Sequence, residues 1–341
     1  MSISNKRNIH NLNLPVLSAS QEKGMILRSE NGIDIKYDQN KINTYKIVNS
    51  GDYVVHLRSF QGGFAFSTID GICSPAYTIL KCNPEMIEYG FFEQYFTSKK
   101  FIDNLRIVTY GIRDGRSISV EEFLNLKGTF PNKNEQLKII KFYTLINKRI
   151  DTQSKIIEKY ESLIKAISNK LFFNITNRVN LSEICSITTG KLDVNQMDEN
   201  GIYPFFTCGK ETLKINKYAF DCEAILISGN GDIGRTKYYN GKFNAYQRTY
   251  ILYNFKGSPI FVKYAIDYAL PKKVKEETQI SAMPYIKLGT LSELSIPYPD
   301  IHIQIEDVQI LNTLQTKINV ETEILEKLKE QKKYLLSNMF I

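Results

Sequence analysis

One long stretch of this chain occurs twice. It runs from Phe130 to Phe173 and again from Tyr298 to Ile341, at a constant offset of 168 residues with no gap. Pro131 pairs with Pro299, Gln136 with Gln304, Ile150 with Ile318, Lys159 with Lys327, and Phe172 with Phe340. In the first copy Ile146, Ile150, Gln153, Ile157, Tyr160, Ile164, Ile167 and Leu171 alternate steps of four and three, the seam of a coiled coil. The second copy places Leu314, Ile318, Glu321, Leu325, Leu328, Lys332, Leu335 and Met339 in the same way. After its opening proline neither copy contains Pro or Gly, so nothing breaks a helix. At about 1.5 Å per residue, ~40 residues give a rod of roughly 60 Å. Such a rod cannot cover its own seam, and the ready partner is its copy. If the two overlap fully, the polar seam residues Gln153 and Glu321 meet near the middle.

The remaining sequence forms two irregular blocks. The first, residues 1 to about 128, contains YKIVNSGDYVVHLRSFQGGFAFSTIDGICSPAYTILK, which alternates β-branched and aromatic residues between Gly and Asp turns and predicts short strands and hairpins. FFEQYFTSKKFIDNL predicts one amphipathic helix, and GIRDGRSISVEEFLNL a loop leading to a short element. The second block, about 181 to 298, repeats the plan: LSEICSITTG and YPFFTC as strands, a strand-and-turn meander from AILIS to YIL, the helix FVKYAIDYALPKKV, and the loop ISAMPYIKLGTLSEL. Fainter matches join the blocks: Gly71 with Gly241, Tyr77–Leu80 with Thr249–Leu252, and Arg116-Ser117-Ile118 with Pro284-Tyr285-Ile286.

At 341 residues the chain is long enough for two or three domains with cores of their own. A net charge of +8 permits an anionic partner without requiring one. Cys73, Cys82, Cys185, Cys208 and Cys222 have no C-x-x-C spacing and read as free thiols of a reducing compartment. With no secretory leader and no apolar run of about 18 residues, the expected location is the cytoplasm, away from any membrane.

Two irregular blocks joined by two matched helices resemble the specificity (S) subunits of type I restriction–modification systems. The segments that carry the resemblance are GIRDGRSISVEEF and SAMPYIKLGTL before the helices, the openings Pro131–Gln136 and Pro299–Gln304, and the closings LFF and MFI. The resemblance implies an α+β fold: two β-rich target-recognition domains separated by two long helices packed as an antiparallel coiled coil, with an internal pseudo-twofold repeat. The expected limits are 1–130 for the first recognition domain, 131–173 for the first helix, 174–298 for the second domain and 299–341 for the second helix. The first domain departs from the family pattern. LSEICSITTG opens the second domain with a strand, whereas MSISNKRNIHNLNLPVLSASQEKG shows no such strand, so the first domain is expected to lack its opening element.

The tempting catalytic motif is Gly229–Gly234, GNGDIG. A dinucleotide site needs a helix next and an acid about twenty residues on. RTKYYNGKF comes next instead, and residues 250–256 contain no acid. There is no phosphate loop, no Asn-Pro-Pro-aromatic motif and no metal-ligand cluster, and His10, His56 and His302 are scattered. No catalytic or metal-binding residue is therefore expected. The resemblance instead implies methylation by a separate M subunit using S-adenosylmethionine, and ATP- and Mg-dependent cleavage by an R subunit.

Reading base edges needs Arg for guanine and Asn or Gln for adenine, presented on loops. The first block offers His56, Arg58 and Gln61, then Arg113, Asp114 and Arg116. The second offers Asn230, Asp232 and Arg235; Tyr246, Gln247 and Arg248; and Gln279, Ser281 and Tyr285. Lys237, Lys242, Lys272 and Lys273 suit phosphate contacts. Any one of these could instead cap a turn or pair with an acid. The expected partners are double-stranded DNA, two M subunits and, through them, R subunits. Two divergent domains imply an asymmetric bipartite target. The competing class is a scaffold that binds proteins through two β-rich modules.

Overall fold

The computed structural model describes residues 1–10, 12–20, 23–30, 39–55, 63–105, 109–110, 117–278 and 285–339. The chain divides into two compact units, Met1–Gln153 with Ile324–Ile341, and Ser154–Glu323. Each takes one β-rich block together with part of both long helices.

Unit 1 contains β1 (Ser2–Ser4), β2 (Leu17–Ser20), β3 (Gly24–Leu27), β4 (Lys46–Val48), β5 (Tyr53–Val55), β6 (Phe64–Phe66), β7 (Gly71–Cys73) and β8 (Thr78–Lys81). Helices α1 (Phe91–Tyr95) and α2 (Lys99–Leu105), the pair β9 (Thr109–Tyr110) and β10 (Ser117–Ile118), α3 (Val120–Leu124) and the start of α4 (Lys133–Phe173) come after them. The main sheet has the order β1-β8-β5-β6. Because side chains alternate along a strand, its two faces bury different cores. Tyr53, Val55, Phe66 and Leu80 pack with Phe91, Phe92, Phe101, Phe123 and Tyr143. Val54, Ala65 and Ile79 pack with Leu17, Met25 and Val48. The turn joining β2 to β3 requires Gly24, whose φ is +71° and whose Cβ would stand 2.4 Å from the Phe66 carbonyl oxygen.

Unit 2 contains β11 (Arg178–Asn180), α5 (Leu181–Ile184), β12 (Ser186–Thr189), β13 (Tyr203–Phe206), β14 (Leu213–Ile215), β15 (Phe220–Ser228), β16 (Thr236–Ala245) and β17 (Thr249–Tyr253). They are succeeded by α6 (Pro259–Thr278), α7 (Leu288–Ser292), β18 (Ser295–Pro297) and α8 (Ile301–Asn338), whose last residues lie in unit 1. The six-stranded sheet has the order β12-β17-β15-β16-β13-β14. Ile225, Ile227 and Leu252 face a core with Phe172, Phe261, Ile266 and Leu291. Ala224, Leu226 and Ile251 face Phe206, Phe243 and Ala245.

The two sheets share a register as well as an order. Tyr53 pairs with Leu80 and Phe66, and Ile225 pairs with Leu252 and Tyr238, a shift of 172 in every case. Ile3 stands opposite Leu80 as Ile187 stands opposite Leu252, so β1 occupies the place of β12. This corrects the expectation of a missing opening strand. Ser-Ile-Ser is too short to show a period, and its hydrogen bonding to β8 makes it a strand. The Gly71–Gly241 match does not survive: Gly71 pairs in β7 with β4, while Gly241 lies mid-strand in β16 at φ +132°.

Two local expectations also change. LSEI is a helical turn, α5, closed by a capping box in which Asn180 and Glu183 satisfy each other's backbone N–H. FFEQYFTSKKFIDNL is two helices, broken before Lys99, where the Ser98 hydroxyl accepts the Phe101 N–H at 3.3 Å. The expected helix FVKYAIDYALPKKV forms as part of α6, which continues through Pro271.

The long helices are held by a buried glutamine at each start. Gln136 donates to the Met86 and Pro131 carbonyls at 3.0 and 2.8 Å and accepts the Glu88 N–H at 2.8 Å. Gln304 donates to Pro299 at 2.8 Å and accepts the Ser258 N–H at 3.1 Å. Within unit 1 the Tyr143 hydroxyl lies 3.6 Å from the Met339 sulfur, and within unit 2 Lys317 Nζ lies 6.0 Å from the Tyr160 ring centre. Early α4 thus meets late α8, and late α4 meets early α8: the helices run antiparallel. Gln153, Ile318 and Leu325 are buried on the seam, and Ile146, Ile150, Ile157, Tyr160, Ile164, Leu314, Glu321, Leu328 and Leu335 are half-buried. Tyr143 and Leu311, fully buried, lie outside the predicted seam.

Gln304→Ala removes both bonds and is expected to cost about 1–3 kcal/mol in chemical denaturation, because a buried donor and acceptor lose their partners. Asp307 is 6% exposed and its Oδ2 has no hydrogen-bond partner. Burial, then the neighbouring Glu306 charge, raises its carboxyl pKa above 3.8. The folded chain therefore disfavours the charged form, and this penalty applies fully above the raised folded value. Asp307→Asn is expected to raise the melting temperature at pH 7, with the gain vanishing as the pH falls below 3.8, where the native carboxyl is neutral in both states.

Candidate nucleic-acid interface

At one end of the unit 2 sheet four segments converge. They are the β15–β16 hairpin loop 229–235, the β16–β17 turn 246–248, residues 207–211 after β13, and residues 285–287 before α7. Backbone hydrogen bonds fix them: Gly229 N–H to Arg248 O at 2.9 Å, Ile286 N–H to Gly229 O at 2.8 Å, Tyr246 N–H to Phe206 O at 2.9 Å, and Gln247 N–H to Leu192 O at 2.9 Å. The Tyr250 hydroxyl donates to Ile286 O at 2.9 Å, and the Cys208 thiol to Arg248 O at 3.3 Å. Gly231 and Gly234 have φ of +64° and +77°, so the GNGDIG glycines shape a hairpin loop. The next element is a strand, in keeping with the rejection of a dinucleotide site.

The candidate side chains fall into two groups. Arg235 braces the site from within: Nε lies 3.2 Å from Asp232 Oδ2, Nη1 donates to Lys210 O at 3.2 Å, and Nη2 donates to Gly209 O. Gln247 lies 3.4 Å from Asp193. Lys237 donates to Thr212 Oγ1 at 2.6 Å and sits 5.0 Å from the Phe206 ring centre. Burial, then the Arg235 charge, lowers its pKa. By contrast Arg248 and Tyr285 present their side chains to solvent, Asn230 is half-exposed, and Lys287 stacks 5.9 Å from the Tyr285 ring centre. Lys242 lies elsewhere, opposite Asp221 on the ribbon and over Tyr218 at 4.8 Å. Lys272 and Lys273 are carried on α6. Exposed Lys210 and Lys287 belong to the cluster and escaped sequence reading, because isolated lysines in turns carry no pattern.

The first-block candidates His56, Arg58, Gln61, Arg113, Asp114 and Arg116, and with them Gln279 and Ser281, lie outside the described residues. By the shift of 172, positions 57–63 of the sequence correspond to 229–235. All five cysteines are free, and burial pushes the thiols of Cys73 and Cys185 up to about 12. Among the described residues no His, Cys, Asp and Glu cluster could hold a metal ion, and no helix is long and apolar enough to cross a membrane.

The mixed sheet of unit 2 thus carries a basic loop cluster at one end, and its Ile225 face packs on a core that includes Phe172 of α4 and Leu311 of α8. Residues 176–330 match the family described as type I restriction modification DNA specificity domain. The chain is 39% identical over 154 residues to the Escherichia coli type I restriction enzyme EcoDI specificity subunit, covering 44% of this chain and 33% of that one. It is 28% identical over 147 residues to a putative type I specificity subunit of Mycoplasma pneumoniae, covering 41% and 58%. The match thus spans less than two thirds of either relative. The fold extends further. A crystal structure of a type I S subunit from M. genitalium covers 100% of this chain and 96% of its own at a TM-score of 0.57 and 18% identity. A structure solved for complex assembly and conformational transition of the type I R-M system covers 98% and 94% at 0.58 and 17%. The second block thus resembles a type I specificity domain, and the fold of type I S subunits is shared along the length of the chain.

The two groups of side chains separate by mutation. Arg235→Ala is expected to destabilise unit 2 by about 1–3 kcal/mol, since three charge-assisted contacts are lost. Arg248→Ala is expected to stay within about 0.5 kcal/mol of the parent in the same denaturation.

Proposed function

We propose that this chain is a non-catalytic DNA-recognition subunit that reads an asymmetric bipartite duplex target. The observation that carries the reading is the pair of sheets whose four equivalent strands keep one order and one register, while the sequences between equivalent strands, HLRSFQGG and SGNGDIGR, differ. A constant scaffold with divergent loops suits two different half-sites. In unit 2, Arg248, Asn230 and Tyr285 are the side chains free to face bases, and Lys210, Lys237 and Lys287 supply phosphate contacts. Arg235 and Asp232 set the loop's shape. Arg113, Arg116, His56, Arg58 and Gln61 are the proposed readers of the first block.

The helix pair and adjoining surfaces dock two methyltransferase subunits, and through them restriction subunits, in the cytoplasm. S-adenosylmethionine, ATP and Mg act in those partners. The free energy of binding then divides in two. Lysine–phosphate contacts give salt-sensitive affinity, and base contacts give discrimination of about 1–3 kcal/mol per good bidentate pair.

The test is a methylation map of DNA from cells co-expressing the chain with its M subunit. An asymmetric bipartite methylated motif is expected, and it should vanish when the chain is omitted. Arg248→Ala should relax one position of one half-site only. In vitro, log K should fall linearly with log salt, with a slope of about −0.9 per phosphate contacted. A salt-insensitive chain with no methylation motif would fit the scaffold reading instead.

A further inference from the structure

Given the DNA-recognition reading above, on which this rests, we propose that Tyr250 and Gly229 are positioning residues for base selection. A circuit of hydrogen bonds built on them holds Asn230, Arg248 and Tyr285 in one fixed arrangement, so that the three read a single half-site as a unit. The circuit has three links. Gly229 N–H donates to Arg248 O at 2.9 Å, Ile286 N–H donates to Gly229 O at 2.8 Å, and the Tyr250 hydroxyl donates to Ile286 O at 2.9 Å. The chain from Arg248 to Tyr250 closes it. Segments 229–235, 246–250 and 285–287, distant in sequence, are thereby tied at one point.

Each reader sits on the circuit or one residue from it. Arg248 supplies one of its carbonyls, Asn230 follows Gly229, and Tyr285 precedes Ile286. The circuit is closed to solvent while the readers are not: Gly229 is buried and Ile286 is 3% exposed, whereas Tyr285 is 47% exposed. Gly229 admits no side chain, because a Cβ there would stand 2.6 Å from Arg248 O and 3.1 Å from the aromatic ring of Tyr250. Burial raises the Tyr250 pKa above 10.0, so at neutral pH the hydroxyl keeps the proton it donates. A reader free to shift can pair with a wrong base, whereas one held to within about 0.5 Å cannot.

The device is particular to the second block. Tyr250 stands opposite Ile227 as Thr78 stands opposite Val55, so the equivalent place in β8 holds a threonine. Thr78 has no aromatic ring to carry a hydroxyl across to a neighbouring segment. Loss of the Tyr250 hydroxyl should therefore be felt at one half-site only.

The experiment takes the full chain in complex with its M subunit, as parent and as Tyr250→Phe, which keeps the packing and removes the donor. Binding is measured to the duplex that the methylation map identifies and to two duplexes in which either half-site is replaced. Preference for the half-site that Arg248→Ala relaxes should fall about tenfold in Tyr250→Phe, on the scale of one good base contact, and preference for the other should stay as in the parent. Parental preference at both half-sites would overturn the proposal, and so would an equal loss at both, the mark of a general destabilisation. A parent with no preference at either half-site would overturn the DNA-recognition reading itself. Amide hydrogen exchange of the parent gives a test that does not depend on the variant folding. Links that open together should protect Gly229 and Ile286 to within about tenfold of each other, and a larger difference would overturn the proposal.

Discussion

A helix of some forty residues is unstable in water until its apolar stripe is covered, and every other feature of this chain depends on how that is done. Antiparallel pairing of α4 with α8 covers the seam, and the ends of the stripe run on into the cores of the two units. Tyr143 is a core residue of unit 1 and Phe172 of unit 2. Neither helix can leave without opening a domain, which ties the β-rich blocks to the helices energetically.

The glutamines at the helix starts serve the same constraint by polar means. A helix that begins in a buried corner strands backbone groups of its own and of the loop before it. Gln136 and Gln304 each satisfy a carbonyl and an N–H there. Their recurrence at one offset reflects a shared job at two equivalent corners.

The recognition loops obey a different rule. Their residues answer to what they touch outside the fold, so repeat and register fade there while the sheet beneath keeps both. Even so, part of the loop chemistry is spent inward. Arg235 and Asp232, attractive readers of bases when seen in sequence, hold the hairpin against residues 209–210. A guanidinium with five donors suits either task, and only the position of the carbonyls around it decides between them. Arg248, one turn away, remains in solvent.

The sequence by itself determined the two-block plan, the matched helices and their seam, because an apolar stripe without Gly or Pro leaves few alternatives. It also argued against a dinucleotide site, since RTKYYNGKF after GNGDIG is aromatic and turn-rich and residues 250–256 hold no acid. It could not determine the short elements. Ser2–Ser4 is a strand only because β8 lies alongside, and LSEI turns into a helix at a capping box that competes with its β-like context. Tertiary structure alone decided which arginine braces and which is exposed, and which lysines cluster. Those outcomes depend on contacts between residues distant in sequence, and periodicity carries information only about neighbours along the chain.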